Sequence, residues 1–179
     1  MTVGRHSKYF ENVKDSDVVD ELISGYKGLK KDISTTNLSH KELVQHHISD
    51  WDFTLLRAEA NGMLVNVNDG TIKFEKPDTN QAPALQVSYG SSVLEFEAEM
   101  DARMQWKNVK TYSWDYKNQN LFDAEASGAS FTENGNIAGS ELANAINLDN
   151  YEMRHSGHVL EQELQDWANS ILLRSRMAK

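Results

Sequence analysis

The sequence contains no cysteine and only two prolines, and hydrophobic residues make up just 39% of its 179 residues. The lack of cysteine excludes disulfides, thiolate nucleophiles and cysteine-bound metals. A chain this poor in apolar residues either exposes much polar β-surface or completes its core with partners. No apolar run approaches the length of a membrane span or of a signal-peptide core. We therefore expect one sizeable domain or two small ones, with no membrane segment.

Positive charge is also scarce. The sequence has 18 basic and 27 acidic residues, so its net charge is −9 at pH 7. Nucleic acids and anionic membranes are bound by basic patches, so we expect neither as a partner. The phosphate loop, the Gly-x-Gly-x-x-Gly loop and the Gly-x-Ser-x-Gly elbow are absent. These absences predict a protein that is not an enzyme, with no catalytic residue and no bound cofactor.

The histidines do not form a recognisable metal motif. His155 and His158 lie close in sequence, but no adjacent carboxylate completes a zinc-binding pattern. Asp69-Gly70 also lacks the spaced acidic residues of a calcium loop. We expect no metal site.

The stretch from Ser49 to Glu75 predicts a capped helix followed by a β-hairpin. Ser49 is a suitable N-cap, and Asp52 provides a carboxylate three residues later. Gly62 favours a left-handed helix stop, and Asp69-Gly70 favours a tight hairpin turn. No side chain in this stretch is chemically reactive, which is typical of a scaffold.

A first helix is predicted from Asp15 or Ser16, and it ends near Gly25. The residues before it are polar. They are about equally consistent with a frayed terminus and with a segment that continues from a longer chain. Pro77 and Pro83 mark the clearest internal boundary. We therefore predict one unit over residues 1–80 and a second over 81–179.

Strict alternation predicts a strand after Ser92. One face carries Leu94, Phe96, Ala98 and Met100, and the other carries Glu95, Glu97, Glu99 and Asp101. Paired carboxylates can serve glycoside hydrolysis or bind calcium. However, one strand places all four on the same face, at steps of about 7 Å. This favours a solvated sheet face, with the lining of an assembled channel as a further option.

Aromatic residues recur in the next stretch, which predicts a second long strand with a bulge or bend near Val109. Trp106, Tyr112, Trp114 and Tyr116 could stack on sugars or bases. Tryptophan and tyrosine are equally suited to a sheet face or a subunit contact, which we favour.

Two helices are predicted near the end of the chain. A short one covers Ser140 to Ile146. A longer one carries an apolar stripe, with glutamates near its start and arginines near its end. The stripe consists of Leu160, Leu164, Trp167, Ile171 and Leu172.

Several stretches together resemble the VgrG family, the spike-hub proteins of type VI secretion and related contractile injection systems. They are Leu43-Val44-Gln45 followed by Ser49-Asp50-Trp51-Asp52-Phe53 through Gly62, the run from Leu94 to Arg103, and Val109-Lys110-Thr111-Tyr112-Ser113-Trp114-Asp115. The runs from Glu161 to Ala168 and from Leu173 to Lys179 resemble the helix that usually precedes the spike's OB-fold. Phage late-control and baseplate-hub proteins are similar.

This resemblance implies an α+β fold. A small helix-plus-hairpin insertion would join a tail-tube-like antiparallel β-barrel that ends in an amphipathic helix. Family members are homotrimers with two such barrels per subunit. The chain lacks a complete first barrel and stops where the spike should begin, so it is similar to an internal hub fragment.

The resemblance further implies a structural hub that adapts a six-fold inner tube to a three-fold spike. Its partners would be inner-tube proteins, baseplate proteins and secreted effectors. It would assemble in the bacterial cytoplasm and then be secreted or delivered. The acidic row would line the channel, and interface or packing roles fall to Trp51, Phe53, Trp106, Tyr112, Trp114 and Trp167.

Two alternatives remain open. The acidic row and the tryptophan–tyrosine cluster also fit a carbohydrate- or peptidoglycan-binding module. A plain acidic interaction domain without a link to secretion is the third hypothesis.

Overall fold

A computed structural model of the chain describes all residues except 79, 81, 83–84, 100, 128–132, 134 and 178–179. Pro83, Met100 and Lys179 of the sequence predictions therefore lie outside the described residues. The elements are β1 (His6–Lys14), α1 (Asp15–Ser24), β2 (Lys30–Ile33), β3 (Ser39–Ile48), α2 (Asp50–Ala60), β4 (Leu64–Asn68), β5 (Thr71–Glu75), β6 (Val109–Asp115), β7 (Asn120–Glu125), α3 (Gly139–Ile146), β8 (Tyr151–His155) and α4 (Glu161–Met177).

The strands form three small sheets, which confirms the α+β class. β1 pairs with β3, β5 lies between β2 and β4, and β6 lies between β7 and β8. β8 runs parallel to β6, whereas β7 is antiparallel to it. None of these sheets closes into a barrel within the described part of the chain.

Of the two alternatives for the residues before α1, the frayed terminus is wrong. β1 pairs antiparallel with β3 from His6 to Lys14. Phe10 is buried in the middle of this strand and stacks on Phe53 of α2, with ring centroids 6.5 Å apart. Most of the other β1 side chains are exposed, so the sequence shows no alternating apolar pattern for this strand.

The predicted helix and hairpin over Ser49–Glu75 are confirmed. Ser49 Oγ accepts a hydrogen bond of 3.0 Å from the Asp52 amide and caps α2. Gly62 has a φ of +63° just after the helix, a conformation that glycine adopts without a steric penalty. Asp69 and Gly70 both have positive φ, as a two-residue turn between β4 and β5 requires.

The strand predicted from Leu94 to Asp101 is wrong for the described residues, which lie in an irregular connection between β5 and β6. Leu94 and Phe96 are 86% and 76% exposed, so the apolar face is uncovered at these two described residues. A strand needs a neighbour to satisfy its backbone groups, and the described chain places none beside this segment.

The second predicted strand is shorter than expected and begins only at Val109. Residues before it form a turn, in which the Gln105 amide donates 3.0 Å to the Ala102 carbonyl. The predicted irregularity near Val109 is therefore the start of the strand. β8 was not predicted, because only five residues form it and its side chains are half-buried or exposed.

The last helix covers one face of the sheet formed by β7, β6 and β8. Leu164, Ala168 and Leu172 are buried against it, and Val109 of β6 lies in the same core cluster as the latter two. Thr111 Oγ1 donates a hydrogen bond of 2.9 Å to the Leu164 carbonyl. This confirms the buried stripe at Leu164 and Leu172, whereas Leu160 precedes the helix and is exposed.

A buried carboxylate holds the N-terminal elements together. Asp15 at the start of α1 is 1% exposed. Arg57 of α2 donates to it from Nε at 2.5 Å and from Nη2 at 3.1 Å. His40 of β3 lies 2.9 Å away, and Asn61 Nδ2 donates at 2.8 Å. Burial raises the pKa of Asp15, but the hydrogen bonds from His40, Arg57 and Asn61 outweigh it and hold the pKa at about 2.

Replacing Asp15 tests this network. We expect Asp15→Asn to lower the free energy of unfolding by about 3 kcal/mol at neutral pH, because it leaves the Arg57 guanidinium without its buried partner. The exposed Asp32→Asn variant should change it by less than about 0.5 kcal/mol. Urea unfolding monitored by circular dichroism measures both.

The difference in unfolding free energy between wild type and Asp15→Asn should depend on pH, because the pKa of Asp15 is lowered in the folded state. A carboxyl with a lowered folded-state pKa stabilises the fold above its ordinary value of 3.8, and the contribution is lost as the pH falls toward about 2. The gap between wild type and Asp15→Asn should therefore be constant at neutral pH and shrink below pH 3.8. A gap that does not change with pH in this range would contradict the network.

Candidate assembly interface

The two halves of the described chain meet where the end of α2 touches α4. Ser170 Oγ donates 2.5 Å to the Glu59 carbonyl, and Arg174 forms an ion pair with the Glu59 carboxylate. A Cβ at Gly62 would lie 3.4 Å from the Ser170 Cα. Such a Cβ would be in ordinary van der Waals contact with α4, so it is the positive φ of Gly62 that favours glycine here.

Beside this junction lies an open apolar depression between α2 on one side and β8 with α4 on the other. One part has a volume of about 520 Å³ and contains Leu56, Met153, Trp167 and Ile171 in its walls. It adjoins a second part of about 620 Å³, and Met153 and Ile171 line both. The second part adds Met104, Trp106 and Tyr151. We call the two parts together the groove.

The charged side chains around the groove are mostly positive. Arg57, Arg154 and Arg174 line its first part, and Glu59 is the acidic residue among the lining residues there. Arg57 is held by Asp15, and the exposed Arg154 and Arg174 pair with Glu152 and Glu59. Each of these arginines therefore already has an acidic partner within the chain.

β8 borders the groove, and one of its edges pairs with no strand among the described residues. It is the last strand in the sheet order β7-β6-β8. The Tyr151 amide donates 2.9 Å to Asn108, on the β6 side. In a parallel pair alternate residues point their backbone groups to the same side, so Glu152 and Arg154 direct theirs away from β6. The edge can therefore accept another strand.

The predicted interface residues fall into three groups. Phe53 is buried and Trp51 is half-buried in the N-terminal cores, so both stabilise the fold. Trp106 and Trp167 are half-buried at the groove, and Trp106 stacks on Tyr151 with ring centroids 4.6 Å apart. Tyr112 and Trp114 alternate with the buried Thr111 and Ser113 of β6, so they lie on the face opposite α4.

That outer face of β6 carries an aromatic patch. Trp114 is 46% exposed and lies directly opposite the exposed Leu121 of β7. Arg154 covers the Tyr112 ring, with its guanidinium carbon 4.9 Å from the centroid. The patch is suited to packing against another surface.

The acidic row is exposed throughout its described length, at Glu95, Glu97, Glu99 and Asp101. Hydrogen bonds from Arg103 lower the pKa of Asp101 to about 2. Because this segment is not a strand here, its apolar residues are exposed together with the glutamates. The predicted channel-lining role stays a prediction.

Asp115 has a structural role that the sequence pattern did not reveal. Its carboxylate accepts from the Lys117 and Asn118 amides and, at 2.6 Å, from Asn118 Nδ2. Burial raises the pKa of Asp115, but these hydrogen bonds produce a net lowering. The residue therefore fixes the turn between β6 and β7.

Sequence reasoning also missed Glu163 of α4. Its carboxylate lies 3.9 Å from Arg57 Nη2, which extends the Asp15 network to the last helix. Burial raises the pKa of Glu163. Because its partners come from distant parts of the chain, no local sequence signal could have identified it.

Two other kinds of feature are absent from the described residues. They contain no cluster of three or more histidine, aspartate or glutamate side chains placed to hold a metal ion. None of the described helices combines the length and apolarity needed to cross a membrane.

Two solved structures share this fold. One is the 43 kDa tail protein of prophage MuSo2 from Shewanella oneidensis, with a TM-score of 0.61 and 10% identity over 93% of this chain. The other is the tail protein from Neisseria meningitidis MC58, with a TM-score of 0.55 and 12% identity over 92% of this chain. This chain spans about half of each, 48% in both cases.

The sequence comparisons point to one family. No curated protein matches this chain. The family model described as the Alg8 N-terminal domain matches residues 1–179. Because the match covers the whole chain, the protein belongs to the Alg8 N-terminal domain family.

Proposed function

We propose that this chain is a structural part of the hub of a contractile injection machine. In this proposal it helps a trimeric puncturing spike join a six-fold inner tube, as the resemblance to VgrG proteins implies. The likeness to two tail proteins, one of them from a prophage, over more than nine-tenths of the chain carries the proposal.

The distribution of apolar residues supports an assembly role over a catalytic one. The groove, the aromatic patch around Trp114 and the segment around Phe96 all leave large hydrophobic side chains uncovered. Contiguous exposed apolar surfaces of this kind typically mark protein–protein contacts. A subunit whose surfaces are covered by neighbours would explain them.

The neighbours are about twice as long as this chain, so the proposed hub protein would contain further domains. We propose residues 1–80 as an insertion unit and 81–179 as part of the second tube-like unit. Inner-tube and baseplate proteins would be its partners, with secreted effectors as cargo. Assembly in the bacterial cytoplasm would precede delivery.

The stoichiometry of the full-length protein tests the hub proposal. We expect light scattering and native mass spectrometry to give three times the mass of one chain, because the three-fold spike requires three hub subunits. A full-length protein that stays monomeric over the micromolar range would contradict the hub assignment.

The aromatic patch gives the carbohydrate-binding alternative one supporting observation, because an exposed tryptophan can stack on a sugar ring. On the hub proposal, a glycan array and peptidoglycan pull-down should show no saturable binding. Trp114→Ala should instead weaken assembly without lowering thermal stability by more than a few degrees. Saturable glycan binding that Trp114→Ala abolishes, and Tyr9→Ala retains, would favour the alternative.

A further inference from the structure

We propose that residues Leu94–Glu99, which we call the arm, add a strand to the β8 edge of a second copy of this chain. The apolar side chains of the arm would enter the groove of that copy. This inference rests on the proposed hub function and names the contact between its subunits.

The arm has the sequence of a strand but none of its contacts. Leu94, Phe96 and Ala98 alternate with Glu95, Glu97 and Glu99, and all six are exposed. Alternation of this kind stabilises a structure only when one face is covered. Covering Leu94 and Phe96 with a neighbouring surface removes most of their exposed apolar area from water.

The groove offers a surface that matches the arm in shape and length. β8 has five residues, and its free edge directs backbone groups outward at Glu152 and Arg154. Six residues of added strand extend about 20 Å, enough to cover that edge. The arm's apolar face would then lie over Met153, Trp167 and Ile171.

The glutamates of the arm would lie on its opposite face, away from the groove. Glu95, Glu97 and Glu99 alternate with the apolar residues and are exposed. They stay in water when Leu94 and Phe96 are covered, so docking buries no unpaired carboxylate.

The turn that follows the arm is anchored to α4 of its own chain. The Asp101 carboxylate accepts 2.8 Å from the Arg103 amide, and the Gln105 amide donates to Ala102. Gln105 is buried, and its Nε2 donates 2.5 Å to the Ser175 carbonyl on α4. Leu94 and Phe96 nevertheless stay exposed, so the chain's own groove does not cover them and a second copy is left to do so.

A contact between an arm and a groove is heterologous, because different surfaces meet. Each copy then has one arm to give and one groove to fill. Repetition of such a contact closes a ring when the rotation between copies allows it. A three-membered ring would meet the symmetry that the hub requires.

Because the protein has no cysteine, introduced cysteines test the contact cleanly. Phe96→Cys and Met153→Cys chains are mixed and oxidised, since opposite residues on paired strands lie close enough for a disulfide. We expect a disulfide-linked pair of chains. Leu94→Cys in place of Phe96→Cys covers a shift of two residues in strand register. Val67→Cys, exposed on β4, replaces Met153→Cys as the control and should give no product.

A second measurement does not depend on a disulfide. Phe96→Ala should weaken self-association at least about tenfold by sedimentation velocity, as loss of an aromatic anchor does. The exposed Leu64→Ala variant should leave it unchanged. Both substitutions lie on the surface, so circular dichroism should show folded protein in each case.

The outcomes separate this inference from the hub proposal. A trimer that gives no product between chains leaves the hub standing and overturns the arm contact. A disulfide that forms only when both cysteines are in one dilute chain also overturns it, because the arm then fills its own groove. Linked chains in a protein that is never trimeric support the arm contact and contradict the hub.

Discussion

The structure depends on one buried carboxylate. A charge removed from water is costly unless hydrogen bonds and opposite charge surround it. Asp15 receives both from Arg57, together with hydrogen bonds from His40 and Asn61. Because these residues belong to β3, to α2 and to the residue that ends α2, the carboxylate fixes the positions of the N-terminal elements relative to α1.

The same guanidinium extends this constraint to the second half of the chain. Arg57 approaches Glu163 on α4. Ser170, about two turns further along α4, donates to the end of α2. The contact is local, so β8 and the rest of α4 stand apart from α2 along the groove. A rigid junction next to an uncovered apolar surface is a physical arrangement suited to a subunit that binds neighbours.

Local signals in the sequence predicted local structure well. Ser49 as a cap, Gly62 as a stop and Asp69-Gly70 as a turn act within a few residues, and each is found as predicted. β1 escaped prediction because Phe10 is its single buried hydrophobic residue. The Asp15 network could not be predicted, since its partners lie 25, 42 and 46 residues away in sequence.

The largest disagreement concerns the arm, and its physical cause is informative. Alternation at Leu94 and Phe96 is a strong strand pattern, yet the described chain supplies no strand to pair with it. Sequence patterns record the environment of the assembled protein, whereas the fold of one chain includes only its own contacts. The tryptophans show the same contrast. Trp51 packs against a core of its own chain, whereas Trp114 stays exposed.

The central claim is that the arm adds a strand to the β8 edge of a second copy. Hydrogen–deuterium exchange of the free chain and of the assembled protein tests it most directly, because strand addition protects backbone amides of both partners. Exchange of the arm from Leu94 to Glu99 and of the outward amides of Glu152 and Arg154 should slow together on assembly. Unchanged exchange in both segments of an assembled protein would contradict the claim that assembly completes this sheet.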